Sequence, residues 1–115
     1  MPDSCLFCRI VAGEESAEVV AETNEIVVFR DEYPNAPVHL LVTPREHIAS
    51  AHELREEHKD LILDCILIAQ RMVEQEGIGE GYRIATNVGS QGGQTIPHLH
   101  FHVLGGKQLG AVDGA

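Results

Sequence analysis

The chain has 115 residues, a formal charge of −10, and 43% hydrophobic and 23% charged residues. That is one domain's length, with room to bury roughly two-thirds of the surface exposed by the unfolded chain. No apolar run approaches the ~18 residues of a membrane span, and the Met-Pro-Asp-Ser start lacks the basic region of a secretory signal. The acidic balance argues against a nucleic-acid polymer as partner, although local dipoles and histidines can still hold a single nucleotide.

Residues 4–12 read as a short helix ending at Gly13, with Asp3 or Ser4 as its cap and Leu6, Phe7 and Ile10 on its apolar side. Two β-rich runs, 18–21 and 25–30, flank Thr23-Asn24 as a hairpin. Residues 31–37, with two prolines, form a loop, and 38–42 a strand containing His39. Thr43-Pro-Arg-Glu46 matches a capping box, which predicts a turn of helix. Ser50-x-x-Glu53 is a second box and opens a long helix over about 53–76. On that helix Leu54, Leu61, Cys65, Ile68 and Met72 form one apolar stripe, and Ile62, Ile66, Ala69 and Val73 form another. Such a wide arc predicts burial on more than one side, the second cover being another copy of the chain. His52 and His58 read as surface residues. A strand over 82–87, a Gly-rich loop and a last strand over 99–104 complete an α+β domain: a mostly antiparallel sheet carrying one long helix.

The last strand carries the chemistry. In His98-Leu-His-Phe-His102, alternation places three imidazoles on one sheet face and sends Leu99, Phe101 and Val103 into a core. The run Asn87-Val-Gly-Ser-Gln-Gly-Gly-Gln-Thr95 just before it predicts backbone N–H groups converging on an anion. Together they point to chemistry on a phosphate, or to metal binding. Cys5-x-x-Cys8 offers two thiols on one helical turn, half of a tetrahedral metal site. Cys65 reads as core. Three cysteines cannot complete a disulfide set, which fits a reducing cytoplasm.

With these residues in place, the chain resembles the histidine triad family, whose motif stands here as His98-Leu-His-Phe-His-Val-Leu followed by Gly105-Gly106. Ala36-Pro-Val-His39-Leu-Leu-Val-Thr-Pro44-Arg-Glu-His47-Ile, Gly81-Tyr-Arg-Ile and Asn87-x-Gly-x-x-Gly-Gly-Gln94-Thr95 extend the resemblance, toward the Hint-like nucleotide-binding branch, over about 4–106, leaving a short tail, 107–115. The resemblance implies a five-stranded antiparallel sheet that continues across a homodimer. It also implies hydrolysis at the α-phosphate of purine nucleoside 5′-phosphoramidates and aminoacyl-adenylates through a nucleotidyl-histidine.

By the same resemblance His100 is the nucleophile, His102 contacts the phosphate or the leaving-group proton, and His39 supports the network. Thr95 stands where the family usually has Ser. Asn87, Gly93 and Gln94 serve the phosphate, Asp31 the ribose hydroxyls, and Leu6, Phe7, Ile10 and Phe29 the base. Cys5, Cys8, His47 and His98 match the ligands of zinc-bearing members, where the metal is structural. Two departures stand out: Arg30 and Glu32 replace a His and an apolar residue beside Asp31, and the tail lacks a Trp-Pro-Pro ending. Arg30 is read either as stacking on a base or as surface. Two other functional classes remain open: a metallohydrolase using His98, His100 and His102 as catalytic ligands, and a non-enzymatic nucleotide-binding module.

Overall fold

The structure, a computed structural model, describes residues 4–112. Its elements are α1 (Leu6–Val11), β1 (Val19–Glu22), β2 (Ile26–Arg30), β3 (Val38–Pro44), α2 (Lys59–Gln75), β4 (Tyr82–Ala85) and β5 (Phe101–Gly105). The strands form one antiparallel sheet in the order β1-β2-β3-β5-β4, the α+β arrangement expected.

Alternation along the strands gives the sheet two faces. Ile26, Val28, Leu40, Val42, Phe101 and Val103 pack on one side against Leu61, Cys65, Ile68, Ala69, Met72 and Val73 of α2. Val27, Phe29 and Leu41 pack on the other against Phe7, Cys8, Ile10 and Val11 of α1. The site lies on this second face. Arg45 joins its parts: its guanidinium donates to the carbonyl of Val11 at the end of α1 (2.8 Å), to the carbonyl of Thr23 in the hairpin turn (3.0 Å) and to Glu22 (2.9 Å).

Several local expectations are corrected. Ser4 does not cap α1; Cys5 does, its sulfur accepting the N–H of Cys8 at 3.3 Å, and Asp3 lies outside the described residues. Thr43–Glu46 forms no helical turn, because β3 runs through Pro44 paired to Ile26. Ser50 does cap, through the N–H of His52, but it caps only a 3₁₀ turn over Ala51–Glu53. Leu54 and Arg55 are then extended, and a second 3₁₀ turn, Glu56–His58, leads into α2, six residues later than predicted. His58 is buried rather than at the surface: its Nδ1 accepts the N–H of Arg55 at 2.9 Å, and its Nε2 faces Glu46 at 3.4 Å.

The two apolar stripes of α2 also divide differently. Ala69 and Val73, expected to wait for another chain, are each 1% exposed within this one, because they pack into the same core as Ile68, Met72, Ile78 and Val103. The outward apolar residues are Leu63 and Leu67, with Ile62 and Ile66 half-buried beside them. Cys65 is a core residue, its thiol pushed up to about 12 by burial. No helix among the described residues is long and apolar enough to cross a membrane.

Candidate active site and metal centre

Strand alternation does sort the triad motif as expected. Leu99, Phe101 and Val103 enter the α2-side core, although the β ladder itself begins only at Phe101. Before that, residues 98–100 are held by individual bonds. The N–H of Leu99 donates to Ile48 (2.6 Å), and the Thr86 hydroxyl donates to the His100 carbonyl (2.8 Å).

His98, His100 and His102 then part company. His98 is fully buried, and its Nε2–H donates to the Pro44 carbonyl at 2.8 Å. Its Nδ1 is therefore left as a lone pair, and it lies 3.4 Å from both the Cys5 and the Cys8 sulfur. His47 Nδ1 lies 3.1 Å from the Cys8 sulfur. The four donor atoms of Cys5, Cys8, His47 and His98 all fall within 4.8 Å of one another. The cysteines are free thiols. Burial and the adjacent Cys5 push the Cys8 thiol up to about 11, the difficulty a divalent cation removes by holding thiolates. Two sulfurs and two imidazoles, one oriented by a carbonyl, are a donor set that fits a closed tetrahedral ion.

His100 is turned by its own chain. A carbonyl only accepts, so the 2.7 Å contact of His100 Nδ1 with the His98 carbonyl fixes the proton on Nδ1 and the lone pair on Nε2. The ring is 7% exposed, and Phe7 meets it edge-on with centroids 4.9 Å apart. Burial, chiefly, lowers its pKa below the ordinary histidine value.

His102 and His39 form a separate pair. The N–H of Asn35 donates to His39 Nδ1 at 3.1 Å, so neutral His39 carries its proton on Nε2. That nitrogen lies 2.9 Å from His102 Nδ1, with Asp31 Oδ2 at 3.3 Å as a second acceptor. His102 Nδ1 thus accepts, and its Nε2 is a donor. Burial, then His100 and His39, hold the His102 pKa down at about 4. The atoms of Asp31, His39 and His102 also lie within 4.8 Å of one another. With Asn35 occupying His39 Nδ1, however, the facing nitrogen holds a proton rather than a free lone pair. This cluster is a hydrogen-bond chain.

Other expected residues are placed less directly. Asp31 Oδ1 accepts the N–H of Tyr33 at 2.8 Å, closing its loop. Phe7, Ile10 and Phe29 are buried packing partners rather than an open pocket wall; Leu6 is half-buried. Thr95 lines a groove with Cys5, Leu6, His47 and Ala49. The Gly-rich loop does not converge its N–H groups on an empty space. Those of Gly89, Gly92, Gly93 and Gln94 bond within the loop, around a 3₁₀ turn over Ser90–Gly92. Gly93 is needed there for its φ of +89°. Gln94, expected at the phosphate, spends its amide donors on Ala49 (2.7 Å) and Ile96 (3.0 Å) and staples the loop instead. Asn87 spends one donor on Gly92 at 2.8 Å.

Arg30 does not face the site. It alternates to the α2 side, where it grips Glu76 at 2.9 and 3.0 Å and Glu18 at 3.0 Å, so the base-stacking reading is excluded. Residues the sequence reading missed act largely through backbone groups: the Pro44 carbonyl, the Asn35 N–H, and the Thr86 hydroxyl on a carbonyl. No side-chain signal points to the first two.

A family model described as HIT domain matches residues 12–109. The chain belongs to the HIT domain family. Among its HIT relatives, the purine nucleoside phosphoramidase of Escherichia coli is 36% identical over 113 residues, covering 97% of this chain and 95% of that protein. A HIT family hydrolase from Clostridium thermocellum superposes with a TM-score of 0.93 at 38% identity, covering 96% of this chain and 97% of that one. A HIT family hydrolase from Legionella pneumophila gives 0.93 at 42% identity, with coverages of 95% and 98%.

Proposed function

We propose that this HIT chain is a nucleotide hydrolase or transferase acting at the α-phosphate of purine nucleoside 5′-phosphoramidates and aminoacyl-adenylates. It would work, like an adenosine 5′-monophosphoramidase, through a nucleotidyl-histidine on His100. The kinship with a purine nucleoside phosphoramidase supports the substrate class. The observation that carries the residue assignment is the 2.7 Å bond from His100 Nδ1–H to the His98 carbonyl. It leaves Nε2 free to attack and gives the positive charge that forms on the ring a fixed acceptor.

In the first step His100 Nε2 bonds to phosphorus and the P–N bond breaks. The amine leaves with a proton from solvent, relayed by the exposed Thr95 hydroxyl. In the second step water attacks phosphorus, the P–Nε2 bond breaks, and one proton returns to solvent with the nucleoside monophosphate. His102, held neutral, does not supply the proton. Its Nε2–H donates to a phosphoryl oxygen, and Asp31 and His39 fix that orientation. Asn87 and the loop held by Gly93 and Gln94 border the phosphate. Asp31 takes the ribose hydroxyls, and half-buried Leu6 borders the base, with Phe7, Ile10 and Phe29 packed behind it.

Cys5, Cys8, His47 and His98 would hold a structural zinc, which ties α1 to the strand before His100. His98 is thereby a positioning residue and takes no part in proton transfer. The same orientation argues against the metallohydrolase reading, since the nitrogens of His98 and His102 face different partners. The reading is completed by one domain, with its core over about 4–106 and tail over 107–115. It includes a homodimer continued through the free edge of β4 and the outer face of α2, small nucleotides rather than a nucleic-acid polymer as ligands, and a reducing cytoplasm. Rapid quenching into alkali and mass spectrometry of the 98–102 peptide tests it. A nucleoside monophosphate adduct on His100 is the expected result. Full turnover with no adduct removes the two-step reading.

A further inference from the structure

The site face of the sheet holds a cation to which the chemistry above gives no role, Arg83. Ile84 packs toward α2, so its neighbours Arg83 and Ala85 point to the opposite face, with His102. The register there gives two cross-strand rows: Ala85, His102 and Leu41, and beside it Arg83, Leu104 and His39. Arg83 is thus one diagonal step from His102, roughly 7–8 Å between backbones and within reach of a long side chain. Ala85 is small and leaves the outer flank of His102 open.

The state of this arginine differs from that of its neighbours in the fold. Arg30 and Arg45 are both matched to carboxylates. Arg83 is half-buried and donates to the Gly110 carbonyl in the tail, and among the described residues no carboxylate lies in ion-pair range of it. A half-buried guanidinium with donors to spare, in a chain carrying 18 acidic residues, has a chemical partner still to meet.

Sheet order says which partner. From β2 to β4 the site face presents Asp31 just past the end of β2, His39 on β3, His102 on β5 and Arg83 on β4. With the nucleoside at the Asp31 end, an in-line displacement sends the leaving group away from the attacking His100, past His102 along β5, where the next cross-strand row is Leu104 with Arg83. We propose that Arg83 is a specificity-determining residue that binds an anionic leaving group: an amine carrying a carboxylate, as an amino acid does when joined to phosphorus through nitrogen. The inference rests on the phosphoramidase reading above.

Three substrates test it on the full chain: adenosine 5′-phosphoramidate with an unsubstituted P–NH₂, its N-linked glycine, and the methyl ester of that glycine compound. The last two differ only in the charge at the carboxyl. The wild type should favour the free carboxylate over the ester in kcat/KM by roughly 10- to 100-fold, the range of one charge-assisted pair. Arg83→Gln, which keeps a donor for Gly110, should abolish that preference while changing the unsubstituted substrate by no more than about twofold. Arg83→Lys should keep part of it. A wild type that does not distinguish acid from ester overturns the role of Arg83 while leaving the phosphoramidase reading intact. So does an Arg83→Gln variant that loses all three substrates equally and sediments differently, since Arg83 would then serve the fold or assembly. A wild type that cleaves none of the three removes the underlying reading as well.

Discussion

His39 Nε2 and His102 Nδ1 stand 2.9 Å apart across β3 and β5, and the bond between them exists only while His102 is neutral. His102 titrates near 6.5 when unperturbed and at about 4 in the fold. The unfolded chain therefore binds the extra proton first as pH falls. Stability from this group is complete above about 6.5 and drains away between there and 4, amounting to about 1–3 kcal/mol for a partly exposed ring. His39, lowered mainly by burial, acts in the same direction. Thermal midpoints taken from pH 7.5 to 4 should fall below pH 6.5, and His102→Asn should flatten part of that fall. A wild-type midpoint unchanged between pH 6.5 and 5 contradicts this balance.

His100→Ala should bind a nucleoside monophosphate within a few-fold of wild type yet lose turnover by about three orders of magnitude or more, since no other group has a free nitrogen held in its place. Calorimetry and single-turnover kinetics separate the two quantities. Turnover within tenfold of wild type ends the nucleophile assignment.

One zinc per chain is expected from metal analysis of protein purified without chelator. Chelation should lower the melting temperature by about 5–10 °C while leaving the rate at low temperature nearly unchanged, because the donor set is closed and holds α1 rather than substrate. A metal-free preparation whose melting temperature does not respond to added zinc refutes the site.

Leu67 is 44% exposed and Leu63 is 56% exposed on the outer face of α2. Leu67→Glu should leave the isolated fold within about 0.5 kcal/mol of wild type and yield monomers by sedimentation. Ile66→Asp, half-buried, should disturb both fold and assembly. A wild type that is monomeric at micromolar concentration refutes the dimer.

Arg30→Ala removes a two-pronged bond to Glu76. It should cost about 1–2 kcal/mol in denaturant unfolding and leave the preference between purine and pyrimidine nucleotides unchanged. A changed base preference would return Arg30 to the pocket.

Where side-chain periodicity decides the outcome, the sequence reading and the structure agree. Leu99, Phe101 and Val103 turn away from the histidines; Cys5, Cys8, His47 and His98, a set that only the family resemblance had put together, also meet, with Cys5 and His98 93 positions apart. Where backbone groups decide, the residues gave no notice. Pro44 looked like the first residue of a helix and instead ends a strand, because its pairing with Ile26 and its carbonyl's bond to His98 outweigh the capping pattern. Gln94 looked like a phosphate donor, but the carbonyls of Ala49 and Ile96 claim it first. His58 was misread because a histidine among glutamates looks solvated; its ring in fact completes the turn that starts α2.

The bonds of Arg45 to Val11 and of Cys5 to His98 lie at opposite ends of α1, with Phe7 between them resting on His100. The helix is thus a beam clamped at both ends, and only one clamp belongs to the metal centre. Loss of an ion held by these four donors would free the Cys5 end while the Arg45 end stays fixed, so α1 would swing rather than detach. The aromatic edge against the reactive ring then shifts by a fraction of its length. Because His100 keeps its own bond to the His98 carbonyl, metal content would be felt in this protein as a looser α1 and a lower melting temperature before it is felt in the reactive ring.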